Sequence, residues 1–216
     1  MDIQLPYSDP QKGGNASPII SDARAQLTQP YGGKYYEAAR RGRLFHGSSA
    51  AAGVVIPIYT NTAQVFGIWN PPNSGVLGVL AKLRMTYNLT TQIAGGFVLG
   101  ILRDVGQVAA TAGPISAFTK TTATCERGRT GNQQGGNKIQ FTGSAATITD
   151  LITSLISLGI NHLATTAADA TVTPFTVGCD FDGEVCLEPG NALFLCSNKA
   201  QAGNWIPTLS WIEDPV

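Results

Sequence analysis

Short apolar runs separated by turn residues organise most of this chain. Between residues 53 and 102 four such runs, 54–59, 65–69, 76–89 and 97–102, are rich in Val, Ile, Leu, Tyr and Phe. They are parted by Asn61-Thr62, by Asn70-Pro71-Pro72-Asn73-Ser74-Gly75 and by Gly95-Gly96. In the third run Val79, Ala81, Leu83, Met85 and Tyr87 alternate with Lys82, Arg84 and Thr86, the period of two that puts one face of a strand in a core. Strands this short, punctuated by Gly, Pro and Asn, predict an all-β antiparallel sandwich or barrel rather than βαβ units.

The same pattern closes the chain. Residues 184–216 hold apolar runs at 185–187, 192–196 and 205–212, with Glu188-Pro189-Gly190-Asn191 between the first two. Pro presets φ and Gly or Asn accepts φ > 0, so this tetrapeptide predicts a tight reversal between two pairing strands. In the last run Trp205, Leu209 and Trp211 fall on one face, while Ile206 and Ile212 mark the other as partly covered. Residues 138–149 and 171–181 complete the set of strands. A different spacing appears at 149–159, where Leu151, Ile152, Leu155, Ile156 and Leu158 follow a Thr/Asp cap and precede Gly159. That spacing predicts one short helix crossing between the sheets.

The first third of the chain breaks the pattern. Pro6, Pro10, Pro18 and Pro30 and two Gly pairs deny residues 1–33 any period, yet Ile3, Leu5, Tyr7, Ile19, Ile20 and Leu27 exceed what a linker needs. An extended arm that buries these residues on another surface or a neighbouring subunit is expected, with a free terminus as the alternative. Residues 34–41 can make two helical turns that Gly42 ends. They begin a cluster of Lys34, Arg40, Arg41 and Arg43 against one acid, Glu37, alongside Tyr35, Tyr36 and Phe45. Such a basic, aromatic patch suits an acidic protein surface, because guanidinium groups fork carboxylates and Tyr supplies contact area. The arm and helix, residues 1–46, and a β domain, residues 47–216, are the expected organisation.

Composition narrows the function classes. Only 13% of the 216 residues are charged and the formal net charge is zero, so nothing calls for nucleic acid, which needs a basic face. No apolar run reaches the length of a membrane span, and the first residues lack a signal pattern, which leads to an expectation of synthesis in the cytoplasm. The four cysteines, at 125, 179, 186 and 196, show no CxxC spacing, and the two histidines, His46 and His162, lie far apart. Buried reduced thiols are expected, with a Cys186–Cys196 bridge as the alternative. No nucleophile motif is present, and the run 131–138 lacks the Gly-Lys-Ser/Thr ending of a phosphate loop. Asp180, Asp182 and Glu184 alternate before and after Gly183 without a full cation loop, and read as a solvated turn. No catalytic residue, cofactor or metal is expected. Residues 103–136 read as a long loop exposed at one end of the domain.

Taken together, the arm, the Tyr35-Tyr36-Glu37-Ala38-Ala39-Arg40-Arg41-Gly42-Arg43-Leu44-Phe45 segment, Trp69-Asn70-Pro71, the strand series, Leu187-Glu188-Pro189-Gly190-Asn191 and the Trp211-Ile212-Glu213 close resemble the jelly-roll cement, or decoration, proteins of tailed bacteriophages. The resemblance runs over most of residues 31–216. It implies a trimer of eight-stranded jelly rolls on the capsid surface, with N-terminal segments clamping the major capsid protein, and it carries no catalytic residue. Tyr35, Tyr36, Arg40, Arg41, Arg43 and Phe45 are then the expected docking residues, and Ile3, Leu5, Tyr7, Ile19 and Ile20 the arm anchors. A receptor- or glycan-binding virion module, using loop 125–137 and exposed aromatics, is the alternative.

Overall fold

The computed structural model describes residues 19–20, 26–27, 35–88, 93–103, 115–121, 125–127, 138–149, 152, 154–162 and 176–216. Two compact units divide the chain, Met1–Glu37 and Ala38–Val216. In the first, Ile19–Ile20 pairs antiparallel with Gln26–Leu27. The boundary falls before the expected 46/47 junction because residues just past Gly42 already belong to a sheet.

Eight strands carry the second unit: β1 Leu44–Ser48, β2 Gly67–Trp69, β3 Val76–Asn88, β4 Gly95–Leu102, β5 Ser154–His162, β6 Thr176–Asp180, β7 Ala192–Ser197 and β8 Asn204–Pro215. They pair as one antiparallel ribbon doubled on itself, β1 with β8, β2 with β7, β3 with β6 and β4 with β5. Lateral pairing of β8 with β3 and of β7 with β4 rolls that ribbon into two sheets, ordered β1-β8-β3-β6 and β2-β7-β4-β5. This arrangement is the jelly roll. Cys125–Arg127, Val54–Val55 and Cys186–Leu187 widen the first sheet, and Gln140–Thr142 widens the second.

The alternation read from the sequence fills the space between the sheets. Phe45, Leu83, Met85, Tyr87, Trp205, Leu209 and Trp211 from one sheet meet Ile68, Phe97, Leu99, Leu158, Ile160, Leu193 and Leu195 from the other. Trp205 packs edge-on against Phe97 at 5.0 Å, and Trp211 lies between Phe45 and Phe141 at 5.9 and 6.0 Å. Both tryptophans are fully buried packing residues, as their strand pattern predicts. The period slips once, where Leu80 and Ala81 are both buried and the β3–β8 register shifts between Ser210 and Trp211. This bulge turns Val79 away from the core, against the expectation that it shares a face with Leu83.

A third layer was not foreseen. All six residues of β7 are buried, because Ala192, Phe194 and Cys196 point away from the first sheet into a second apolar cluster with Ile115, Ala146, Ile148 and Ile152. A three-stranded sheet, ordered Ala63–Gln64, Ala146–Ile148, Ile115–Phe118, provides much of this cover. Residues 103–136 are therefore not simply an exposed loop: Ile115–Phe118 builds the third layer and Cys125–Arg127 pairs with β1.

Two further expectations are corrected. Residues 154–162 form strand β5 rather than a helix. The same stretch that spaces Leu151, Ile152, Leu155 and Ile156 helically also spaces Ile156, Leu158 and Ile160 by two, and pairing with β4 satisfies a whole ladder of backbone groups. The tetrapeptide 188–191 turns the chain as expected, with Asn191 N–H donating to the Glu188 carbonyl at 3.2 Å. Its flanks do not pair with each other, however. Cys186–Leu187 joins β3 in the first sheet, whereas β7 lies in the second. The turn carries the chain between sheets, and Asn70 receives it: its backbone bonds Gly190 and Asn191, and its buried amide Nδ2 donates to the carbonyls of Val76 and Leu187.

Gly67 shows how closely β2 and β7 approach. A Cβ there would stand 2.4 Å from the Leu193 carbonyl oxygen and 2.5 Å from the Phe194 ring. Gly67→Ala should thus lower unfolding stability by about 1–3 kcal/mol in denaturant titration, while Leu155→Ala at an exposed site should stay within about 0.5 kcal/mol. Equal stabilities would show that the two strands are not in such contact.

Candidate docking residues and the root of the first strand

The basic segment forms a helix that ends at Gly42 as expected, although it is shorter than residues 34–41 and Lys34 lies outside the described residues. Helix α1, Tyr36–Arg40, stops where Gly42 adopts φ 69°, a conformation that Gly enters without Cβ strain. Gly42 N–H donates to the Ala39 carbonyl at 2.9 Å and Arg43 N–H to the Ala38 carbonyl at 2.8 Å. These are the two bonds of a Schellman motif, and they satisfy the last carbonyls of the helix.

Beyond Gly42 the expected docking residues separate. Phe45 is buried and stacks on Trp211, so it belongs to the core and not to a docking surface. Arg43 is half-buried, and its guanidinium Nη1 bonds the Asp214 carboxylate. Its backbone carbonyl accepts the Glu213 N–H at 2.9 Å, so Arg43 ties the start of β1 to the end of β8. Arg41 is exposed and Tyr36 is 48% exposed, while Tyr35 is half-buried. The side chains of Arg40, Ile19 and Ile20, and residues Ile3, Leu5 and Tyr7 altogether, lie outside the described residues. Of the expected docking set, Tyr36 and Arg41 are the two that the structure places on the surface.

Glu213, adjacent to this root, was not singled out by sequence reasoning. It is a buried carboxylate between Ile212 and Asp214. Its Oε2 accepts the Lys138 N–H at 2.9 Å, and its Oε1 accepts the Ile139 N–H at 3.0 Å and the Trp211 Nε1–H at 3.3 Å. The carboxylate thereby caps the chain entering Gln140–Thr142, where the backbone donors would otherwise be buried without partners. Its pattern position resembles any solvent-facing acid near a terminus, and the backbone donors it serves are 74 and 75 residues away in sequence.

The other groups with chemical potential have structural surroundings. His46 Nδ1 and Ser210 Oγ share a hydrogen bond of 2.7 Å across β1 and β8. Cys196 is buried beside Gln64, and burial pushes its thiol up to about 12. Cys186 is exposed, against the expectation of a buried thiol, and it and Cys196 are both unbridged. The 180–184 turn is exposed at Asp182 and Glu184, while Asp180 pairs with Arg84 at 3.1 Å and Lys82 at 3.7 Å. Among the described residues no group of three or more His, Cys, Asp or Glu is placed to hold a metal ion, and no helix is long and apolar enough to cross a membrane. Trp69, Trp205 and Trp211 are all buried, so none of them offers the exposed platform that a sugar-binding reading would use.

Burial raises the Glu213 carboxyl above its ordinary value of 4.5, against the opposing pull of its three N–H donors and Lys138. The folded protein then holds this proton more tightly than the unfolded chain. The group's contribution to stability is full below the ordinary value and is lost as pH rises through the raised one. Glu213→Gln should abolish this segment of the pH–stability profile in thermal melts. It should also lower stability by about 1–3 kcal/mol at every pH, since an amide cannot accept from both backbone donors through two oxygens. A variant that keeps the wild-type slope would assign the titration to another group.

Comparison with protein-family models, with curated proteins and with solved structures returns no match for this chain.

Proposed function

We propose that this chain is a structural subunit of a virion, a cement protein that assembles as a trimer on the outside of a bacteriophage capsid and is held there through its N-terminal unit. The observation that carries the reading is the pairing of a complete jelly roll, ordered β1-β8-β3-β6 against β2-β7-β4-β5, with a separate unit of residues Met1–Glu37. Jelly rolls also serve as lectin and cupin domains, so the roll alone does not choose among functions. A distinct N-terminal unit that runs into a short capped helix, with arginines at 40, 41 and 43, is the part that favours attachment to another protein. The proposed contacts are Tyr36, exposed, with Tyr35 and the apolar arm residues from that unit, and Arg41, exposed, with Arg40 just after it. Three such attachments on one trimer multiply weak contacts into firm retention, which suits a protein that must resist pressure on a shell without one tight interface.

The boundary at Glu37 sharpens the test. Deleting residues 1–37 leaves β1 and the Arg43–Asp214 pair intact, whereas a cut after residue 45 would remove core residues Leu44 and Phe45. The full chain should sediment as three copies of the 22.6 kDa protomer and bind capsids stripped of it. The truncated chain should remain folded and trimeric but lose binding by about a hundredfold or more. Undiminished capsid binding by the truncated trimer would remove the clamp from the proposal, and loss of host-cell attachment alone would favour the receptor-binding alternative.

A further inference from the structure

The charges of the roll are gathered away from one of its poles. No Asp, Glu, Lys or Arg stands between Arg43 and Lys82, between Arg84 and Arg103, or between Lys199 and Glu213. Each of these stretches crosses the end of the roll opposite Leu44 and Pro215: the first after β1, the second between β3 and β4, the third between β7 and β8. Backbone and amide bonds draw the three together. Asn204 pairs with both Val55 and Asn88, and Asn88 Nδ2 donates to the Ala52 carbonyl at 3.1 Å. Ser197 N–H donates to the Pro57 carbonyl at 2.8 Å, and Asn198 N–H to the Gly96 carbonyl at 3.0 Å. Arg43, Lys138, Glu213 and Asp214 all stand at the opposite pole.

Apolar surface is exposed where the charges are missing. Val55 is 39% and Ile93 36% exposed, and Ala50, Ala51, Ala52 and Ala200 are exposed in the same loops. Lys199 stands on the last of these loops, and Lys120 stands at the rim, next to the Thr121 that bonds Gly143 beside Ser49. Among the described residues these loops carry no carboxylate. The surface is also held from within. Ser197 Oγ accepts the Lys199 N–H at 3.2 Å and Gln201 Nε2–H at 3.1 Å, and Asn198 Oδ1 accepts the Gly96 N–H at 2.9 Å. Loops ordered in this way lose little freedom when something covers them.

Exposed aliphatic groups with few charges among them match the composition of an interface core, where desolvating a charge costs more than it returns. The charge pattern also indicates the occupant. An acidic or basic partner finds little here to pair with, whereas copies of one chain meet most readily through a surface that does not repel itself. Two aliphatic side chains and a group of alanines are too small an apolar area to enter a bilayer. We propose that this neutral pole is the surface through which the chain contacts further copies of itself. The inference deepens the reading above by placing the contact between subunits, and it rests on that reading for the number of copies.

The test weighs the full chain in solution by sedimentation from about 1 to about 100 µM, at about 0.05 M and about 0.5 M salt. The wild type should associate, and added salt should not weaken it, because the contact contains no ion pair. Val55→Asp with Ile93→Asp should weaken association by about a hundredfold, since carboxylates would be buried there without partners. Ala51→Arg, in the exposed turn before Gly53, should weaken it by about tenfold, while Leu155→Asp, toward the opposite pole, should leave it within about threefold. All variants should keep the wild-type circular dichroism spectrum. A wild type that stays at 22.6 kDa throughout would overturn this proposal and the trimer together. Undiminished association of the folded pole variants, loss on adding salt, or an equal loss in the Leu155 variant would overturn the pole and leave the trimer standing. If the pole variants dissociate while the wild-type assembly fails to bind stripped capsids, the pole stands and the shell reading falls.

Discussion

The architecture depends on β8 running in register between β1 and β3. Along its length it exchanges backbone bonds with a five-residue strand near the start of the unit on one side and with the thirteen-residue β3 on the other. Its inward side chains, Trp205, Leu209 and Trp211, form the middle of the core. A slip of one residue would point both tryptophans outward, exchanging the largest apolar surfaces in the protein for Ile206, Thr208 and Ser210. The bulge at Ala81 is what reconciles the register at the two ends of β8, since β3 needs one more residue than β8 over the same span.

Class and many strand positions were legible in the sequence because the signal is local. Alternation at 81–87 and 205–212, and turn chemistry at 188–191, act within a few residues. What the sequence withheld was pairing. Glu188-Pro189-Gly190-Asn191 specifies that the chain turns but not that Leu187 and Ala192 enter different sheets, which is decided by β3 and β4 more than eighty residues earlier. Ile156 and Leu158 fit two periods at once, and the helix lost because β4 presents an edge that only a strand can satisfy. The third layer was hidden for a related reason. β7 is apolar on both faces, a pattern that marks burial on two sides, yet its covering residues Ile115 and Ile148 sit in segments of weak periodicity.

The candidate site divides along the same line. Gly42 could be read as a helix end because a Schellman cap is a matter of adjacent residues. Arg43 and Phe45 could not be assigned from their neighbours, since one is held by Asp214 and the other by Trp211 from the far end of the chain. A run of like residues in sequence is therefore split in space between surface and scaffold. Conversely, Arg84 and Asp180 are 96 residues apart and meet only because β3 and β6 pair. Glu213 reaches its backbone donors in the same manner.

The two ends of the ribbon lie side by side. Leu44 and Ile212 are cross-strand partners, so the chain enters and leaves the roll at neighbouring points on one sheet. The start of β1 and the end of β8 therefore share one pole of the roll. A mechanical load applied there passes directly into the β1–β8 ladder and the Arg43–Asp214 pair rather than through the loops. The strength of an anchorage at that pole is in that sense bounded by one short seam.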